Sequence, residues 1–151
     1  MSFFRGLFEY TIDPKGRVNV PAPFRDLVQK AGHDSLMITR WQRCLYAFSL
    51  PEWDAIEGKL ADISSVDPQL NSFKRFFVGS AVEVSFDKQG RILVPQSLRE
   101  YAGLEKEIAI TGMGRRFEIW SLERWNEEVG GFEKVFPENA ELTKRISDLG
   151  I

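Results

Sequence analysis

The chain repeats itself, and any fold it adopts has to accommodate two copies of one small unit. Residues 7–21 read LFEYTIDPKGRVNVP and residues 81–95 read AVEVSFDKQGRILVP. Asp13, Gly16, Arg17, Val20 and Pro21 recur 74 positions later as Asp87, Gly90, Arg91, Val94 and Pro95, and Arg25 recurs as Arg99 at the same offset. The offset then drops to 72, because the first copy holds two more residues in its next stretch. There ITRWQRCLYAFSLPEW (38–53) lies over ITGMGRRFEIWSLERW (110–125). A repeat of this kind reads as a duplicated supersecondary unit.

Within each copy the local signals come in the same order. Leu7–Ile12 and Ala81–Phe86 alternate and are rich in β-formers, which predicts strands. DPKG and DKQG are turns, since aspartate can bond its own downstream backbone and glycine tolerates positive φ. RVNV and RILV are the returning strands, so each D-x-x-G-R segment is expected at the tip of a hairpin, and Pro21 and Pro95 end these strands. Short helices are expected at Pro23–Lys30 and Gln96–Tyr101, with Gly32 and Gly103 as stops. Strand pairs follow at 35–41/44–49 and 107–112/117–121, turning at Gln42-Arg43 and Met113–Arg116. A helix then closes each unit. In the first copy Ser49 and Glu52 stand at capping-box spacing. Between the copies Ser64-Ser65 is a break, Asp67 an N-cap and Pro68 a first-turn proline, followed by Leu70, Phe73, Phe76 and Phe77 at helical spacing. Glu133–Leu149 reads as a terminal helix of mixed charge. The domain reading is a first repeat at 5–58, a linker helix at 59–79, a second repeat at 80–130 and a C-terminal helical tail at 131–151. The fold class is mainly β with short helices (α+β).

The chemistry of the chain concentrates in the two loops. In each, a turn pins the backbone, the glycine allows close approach of a partner, and an arginine follows at once. Guanidinium offers a rigid fork of donors suited to phosphate oxygens or the acceptor edge of guanine. Lys15 and Lys88 add a charge to each loop. A two-stranded ribbon fits the DNA major groove. A purely structural reading stands beside this one: the aspartate caps its own turn and the arginine bonds that aspartate.

Charge is unevenly placed. Net charge is −2, but residues 1–48 carry seven basic and four acidic groups and residues 71–122 eight and six, while residues 49–70 carry one and five and residues 123–151 four and seven. Both loops therefore lie in the mildly basic parts, and a near-neutral protein can bind DNA when its basic groups converge on one face. No apolar stretch approaches the roughly 20 residues that span a bilayer, and the first residues lack the pattern of a signal peptide. One cysteine, Cys44, and one histidine, His33, leave no internal disulfide and no His-rich metal site, which points to a reduced cytoplasm. There is no phosphate loop, dinucleotide fingerprint or zinc spacing. No enzyme, cofactor, metal site, membrane or small-molecule substrate is expected. His33 reads as a surface residue, and Cys44 has no base that could activate it. Asp13 and Asp87 could mimic a carboxylate pair or metal site, but their identical positions in two turns favour structural roles. Trp53 and Trp125, at matched helix starts, read as core anchors. Trp41, beside Arg40 and Arg43, is more open to an exposed role such as base stacking.

The segments DPKGRVNVPAPFR (13–25) and DKQGRILVPQSLREYAGL (87–104), with the link KRFFVGSA (74–81) and the tails LPEW (50–53) and FEIW (117–120), resemble the MraZ family, within the wider group of AbrB/SpoVT-type swapped-hairpin proteins. The similarity runs from about Arg5 to Trp125. It implies a duplicated AbrB-like β-barrel with a pseudo-two-fold repeat. It also implies a ring-shaped homo-oligomer of eight or more chains, associated with the nucleoid. The implied function is a transcriptional regulator that binds direct repeats in the promoter of the division and cell-wall gene cluster. On this resemblance Lys15, Gly16 and Arg17 of the first loop and Lys88, Gln89, Gly90 and Arg91 of the second contact double-stranded DNA, and Asp13 and Asp87 shape the loops. Position 14 is Pro where the second copy has Lys88, so the two tips differ chemically. The other reading is a structural or partner-binding ring, antitoxin-like, with no direct DNA role. The apolar stripe Phe73, Phe76 and Phe77 serves either its own core or a subunit contact.

Overall fold

The structure is a computed structural model that describes residues 3–151. The chain forms two compact units, Met1–Ser121 and Leu122–Ile151.

The first unit contains the eight strands: β1 (Leu7–Thr11), β2 (Arg17–Asn19), β3 (Ser35–Trp41), β4 (Cys44–Ser49), β5 (Val82–Ser85), β6 (Arg91–Leu93), β7 (Glu107–Gly112) and β8 (Arg116–Ser121). It also contains helices α1 (Ala22–Lys30), α2 (Leu50–Ala61), α3 (Pro68–Phe77) and α4 (Gln96–Ala102). Six strands form one antiparallel sheet in the order β1-β7-β8-β4-β3-β5, and β2 pairs with β6 in a separate two-stranded ribbon. This mixed, mainly β architecture bears out the fold class, and the repeat is a swapped one. The strand β1 leaves its own copy to lie on β7 of the second, and β5 leaves the second to lie on β3 of the first, while β4 and β8 join the two halves.

The local hairpin read from the sequence is therefore corrected. The strands flanking each D-x-x-G-R loop do not form a ladder with each other; the returning strand of one copy pairs with the returning strand of the other. Alternation along a strand encodes which face is buried but not which neighbour supplies the hydrogen bonds, so the same pattern suits either partner.

Where the sequence signals are local, the elements fall where expected. The turn between β3 and β4 is Gln42-Arg43, both at positive φ (50° and 72°), as a tight two-residue hairpin connection requires. The Tyr101 hydroxyl accepts a bond from the Arg43 N–H at 3.1 Å and helps hold this strained turn. Ser49 caps α2 by accepting from the Glu52 N–H, and Asp67 caps α3 by accepting from Gln69 and Leu70. At the other end of α3 the last carbonyls would be left without partners. The Thr39 hydroxyl donates to the Phe77 carbonyl and Arg40 Nε donates to that of Phe76 at 3.2 Å, which fastens the helix to β3.

Two layers of apolar packing flank the sheet. Inside, Val18, Val20, Leu36, Ile38, Leu45, Ile92, Val94, Ile108, Ile110 and Ile119 are buried together with Phe24 and Phe117, whose rings lie 5.0 Å apart. Outside, Phe77 (5 % exposed) stacks on Trp53 (1 % exposed) and on Phe73, so the linker stripe mainly packs on its own chain. Trp41 belongs to this layer. Its ring meets Phe73 at 4.8 Å and Phe76 at 5.9 Å, edge to face, which corrects the exposed role read from its arginine neighbours: α3 folds back over it. Trp53 is the core anchor expected, whereas its counterpart Trp125 is only half-buried. His33 is half-buried and Cys44 fully buried.

In the second unit the helix expected to close the second repeat is present, but the terminal helix read at Glu133–Leu149 is interrupted and shorter. Helix α5 (Leu122–Val135) gives way to a 3₁₀ turn at Phe136–Glu138, and α6 (Ala140–Ser147) follows. Pro137 cannot donate to a continuing helix, and Asn139 starts a new one by accepting from the Leu142 N–H at 3.0 Å.

Candidate nucleic-acid interface

Each D-x-x-G-R loop is built around its aspartate. In the first, Asp13 Oδ1 accepts from the backbone N–H of Lys15 (3.0 Å) and of Arg17 (2.7 Å), and Oδ2 takes the Arg17 Nε–H. The Gly16 N–H closes the turn on the Asp13 carbonyl at 2.9 Å. In the second, Asp87 Oδ1 accepts from Gln89 and Arg91, both at 2.9 Å, Oδ2 accepts from Arg91 Nε at 2.9 Å, and the Gly90 N–H reaches the Asp87 carbonyl at 3.0 Å. These are Asx turns in which one carboxylate fixes both the backbone and the arginine side chain.

The donors also tune the carboxylates. For Asp13, burial works against the charge, and the Arg17 backbone N–H and guanidinium more than offset it, so the carboxyl titrates below its ordinary value. For Asp87 the Arg91 backbone N–H is the leading cause of the same downward shift, opposed by burial and supported by the Arg91 side chain. Both loops thus keep their shape and their arginine anchor wherever these carboxylates are ionised.

The swap brings the loops together. In the ribbon, Arg17 lies opposite Leu93, Val18 opposite Ile92 and Asn19 opposite Arg91. Val18 and Ile92 point into the core, and Arg17, Asn19, Arg91 and Leu93 share the outward face. Arg17 and Arg91 are diagonal neighbours there, a relation that sets their backbones roughly 7–8 Å apart. Arg91 Nη1 also comes within 4.0 Å of Asp13 Oδ2, so the loops touch across the ribbon. Lys15, Lys88 and Gln89 are exposed at the loop tips, Arg17 and Arg91 are half-buried, and Gly16 and Gly90 are buried at φ of 90° and 76°.

Two residues to which the sequence assigns no site role, Arg25 and Arg99, belong to this constellation. The Arg99 side chain lies against Gly16, where an added Cβ would sit 2.7 Å from Arg99 Cζ, and the Arg25 guanidinium occupies the space a side chain at Gly90 would need. Arg99 Nε is buried, with no hydrogen-bond partner among the described residues. The signal for this pair was the recurrence of Arg25 as Arg99. Asn19 and Leu93 were also missed: they occupy equivalent positions in the two copies but differ in chemistry, and Leu93 is 56 % exposed on the ribbon face.

Comparison with known proteins agrees with this architecture. The profile of the family described as "MraZ protein, putative antitoxin-like" matches twice, over residues 3–76 and 77–144. The chain belongs to the MraZ family. The transcriptional regulator MraZ of Desulforapulum autotrophicum is 47% identical over 148 residues, covering 98% of this chain and 99% of its own length. That of Acetivibrio thermocellus is 40% identical with the same coverage, and that of Desulfosudis oleivorans is 46% identical over 83% of this chain and 84% of its own length. These relatives are named as regulators of transcription, a non-enzymatic role. Among the described residues no helix is long and apolar enough to cross a membrane.

Proposed function

We propose that this MraZ-family chain is a DNA-binding transcriptional regulator that meets double-stranded DNA with the outward face of the β2·β6 ribbon and the two loops beside it. The observation that carries this reading is the placement of Arg17 and Arg91 on one exposed face, each anchored by its own aspartate, with Lys15 and Lys88 at the tips. The names of the relatives support it. Arg17 and Arg91 supply forked donors to phosphate or guanine; Lys15, Lys88 and Gln89 widen the contact; Gly16 and Gly90 give the loops the bend that presents these groups; Asp13 and Asp87 hold the shape. The finer reading is control of the division and cell-wall gene cluster through direct promoter repeats. A ring of eight or more protomers would engage successive repeats with a gain in effective concentration. The repeats at 5–58 and 80–130, the linker at 59–79 and the tail at 131–151 are proposed as the units of this assembly.

The test is a gel shift with a duplex from the region upstream of the chain's own gene. If Lys15, Arg17, Lys88 and Arg91 each meet a phosphate, the log–log salt slope is about 3.6 per protomer, and affinity falls roughly 150-fold from 50 to 200 mM salt. With Arg17→Ala/Arg91→Ala the slope drops to about 1.8 and the fall to roughly 12-fold. Wild-type binding that the double change leaves intact sinks the loop mechanism. No binding at all favours the antitoxin-like, partner-binding ring. Mass by light scattering tests the assembly, and a monomer refutes the ring.

A further inference from the structure

We propose that Arg25 and Arg99 are crossed positioning residues: each is carried by the helix that follows one loop and seats on the glycine of the other, so that each repeat holds its partner's loop in shape. The inference rests on the loops being the DNA contact.

Two independent contacts define the seat. The carbonyl of Gly90 accepts the Val20 N–H at 3.2 Å, and the carbonyl of Gly16 accepts the Val94 N–H at 2.9 Å, so each loop glycine is tied to the residue that ends the other copy's ribbon strand. The space where a side chain would stand on each glycine is filled by the other copy's arginine, Arg25 on Gly90 and Arg99 on Gly16. Each buried glycine is thus held at two points by one segment of the other repeat, Val20 to Arg25 in one case and Val94 to Arg99 in the other. Glycine suits the seat because a Cβ there would push the arginine out of it, and the left-handed φ also favours glycine. The arginine is suited because a planar guanidinium can lie against a flat peptide surface, which a lysine ammonium cannot reproduce. The loop arginines Arg17 and Arg91 begin immediately after the gripped glycines. The backbone from which each departs is accordingly held by the opposite repeat, while its own aspartate anchors the side chain.

The arrangement makes a crossed prediction that a general packing role does not. Amide hydrogen exchange is measured on the full chain without DNA, with the Ile38 amide of the central sheet as reference. Arg25→Ala, and the longer uncharged Arg25→Met, should raise exchange at the Gly90 and Arg91 amides roughly tenfold relative to Ile38 while leaving Gly16 and Arg17 unchanged. Arg99→Ala should do the reverse. Arg25→Lys should fail to restore protection. Loss of protection confined to the mutated residue's own repeat, equal loss in both loops, or no change overturns the proposal. On the upstream duplex, Arg25→Ala should weaken binding at least several-fold with the salt slope intact. A slope lower by about 0.9 would instead make Arg25 a phosphate contact and overturn its assignment as a positioning residue. A crossed exchange pattern in a chain whose wild type does not bind the duplex would refute the DNA reading and leave the clamp standing.

Discussion

Replacing Gly90 by alanine separates the two reasons for glycine in the loops. The first is backbone conformation: an L-residue in the left-handed region costs about 1–2 kcal/mol. Part of this is recovered because alanine narrows the unfolded ensemble by about 0.4–1 kcal/mol. The second is the arginine. A Cβ at Gly90 would fall on the Arg25 guanidinium, so the side chain must be displaced from a filled seat. Overpacking of this kind costs about 1–3 kcal/mol. Gly32 isolates the first effect, because its φ is 88° and nothing lies within 4 Å of an added Cβ. Gly32→Ala should therefore cost about 1 kcal/mol, and Gly90→Ala roughly 2–4 kcal/mol. For a unit of this size each kcal/mol lowers Tm by roughly 3–5 °C. Urea unfolding or calorimetry on both variants measures the difference. Arg25→Ala/Gly90→Ala should be less damaged than the two single changes add up to, since the methyl then enters vacated space. Equal costs for Gly32→Ala and Gly90→Ala, or strict additivity in the double variant, would refute the argument that Arg25 fills the seat.

Two further outcomes follow from the packing and the loop electrostatics. Phe24 is 1 % exposed and its ring meets those of Phe4, Phe8 and Phe117, so Phe24→Ala should destabilise by about 3–5 kcal/mol in urea unfolding. The Asp13 and Asp87 carboxyls titrate below the ordinary aspartate value of 3.8 in the folded chain, held down by the Arg17 and Arg91 donors. Their contribution to stability is therefore complete above that pH and is lost as pH falls through the lower, folded values. Tm measured from pH 7 to 2.5 should show Asp87→Asn flattening the acid limb below about pH 4 without altering the slope between pH 5 and 7.

Much of the fold and part of the site can be read from the chain because the signals are local. The turn aspartates, the glycines at positive φ, the Asp67-Pro68 helix start and the Gln42-Arg43 turn depend on residues a few positions apart. The break ahead of the terminal helix is hidden in the sequence because Pro137 and Asn139 act against an otherwise helical mixed-charge pattern. The packing of Trp41 is not legible locally because what covers it, Phe73 and Phe76, lies about 30 residues onward in a helix whose docking the sequence around Trp41 does not announce.

The sequence by itself determined that there are two corresponding loops, each with an aspartate to shape it, a glycine to bend it and an arginine to present. Only the tertiary structure decided that the loops form one surface. Strand pairing is made by backbone groups that are the same in every residue, so β2 carries no local mark saying whether it pairs with β1 or with β6. The choice is made by the shared core. Burying Val18 and Ile92 under one sheet draws the two ribbon strands together. That pairing sets Arg17 beside Arg91, and it is also what seats Arg25 and Arg99 on the glycines of each other's repeat.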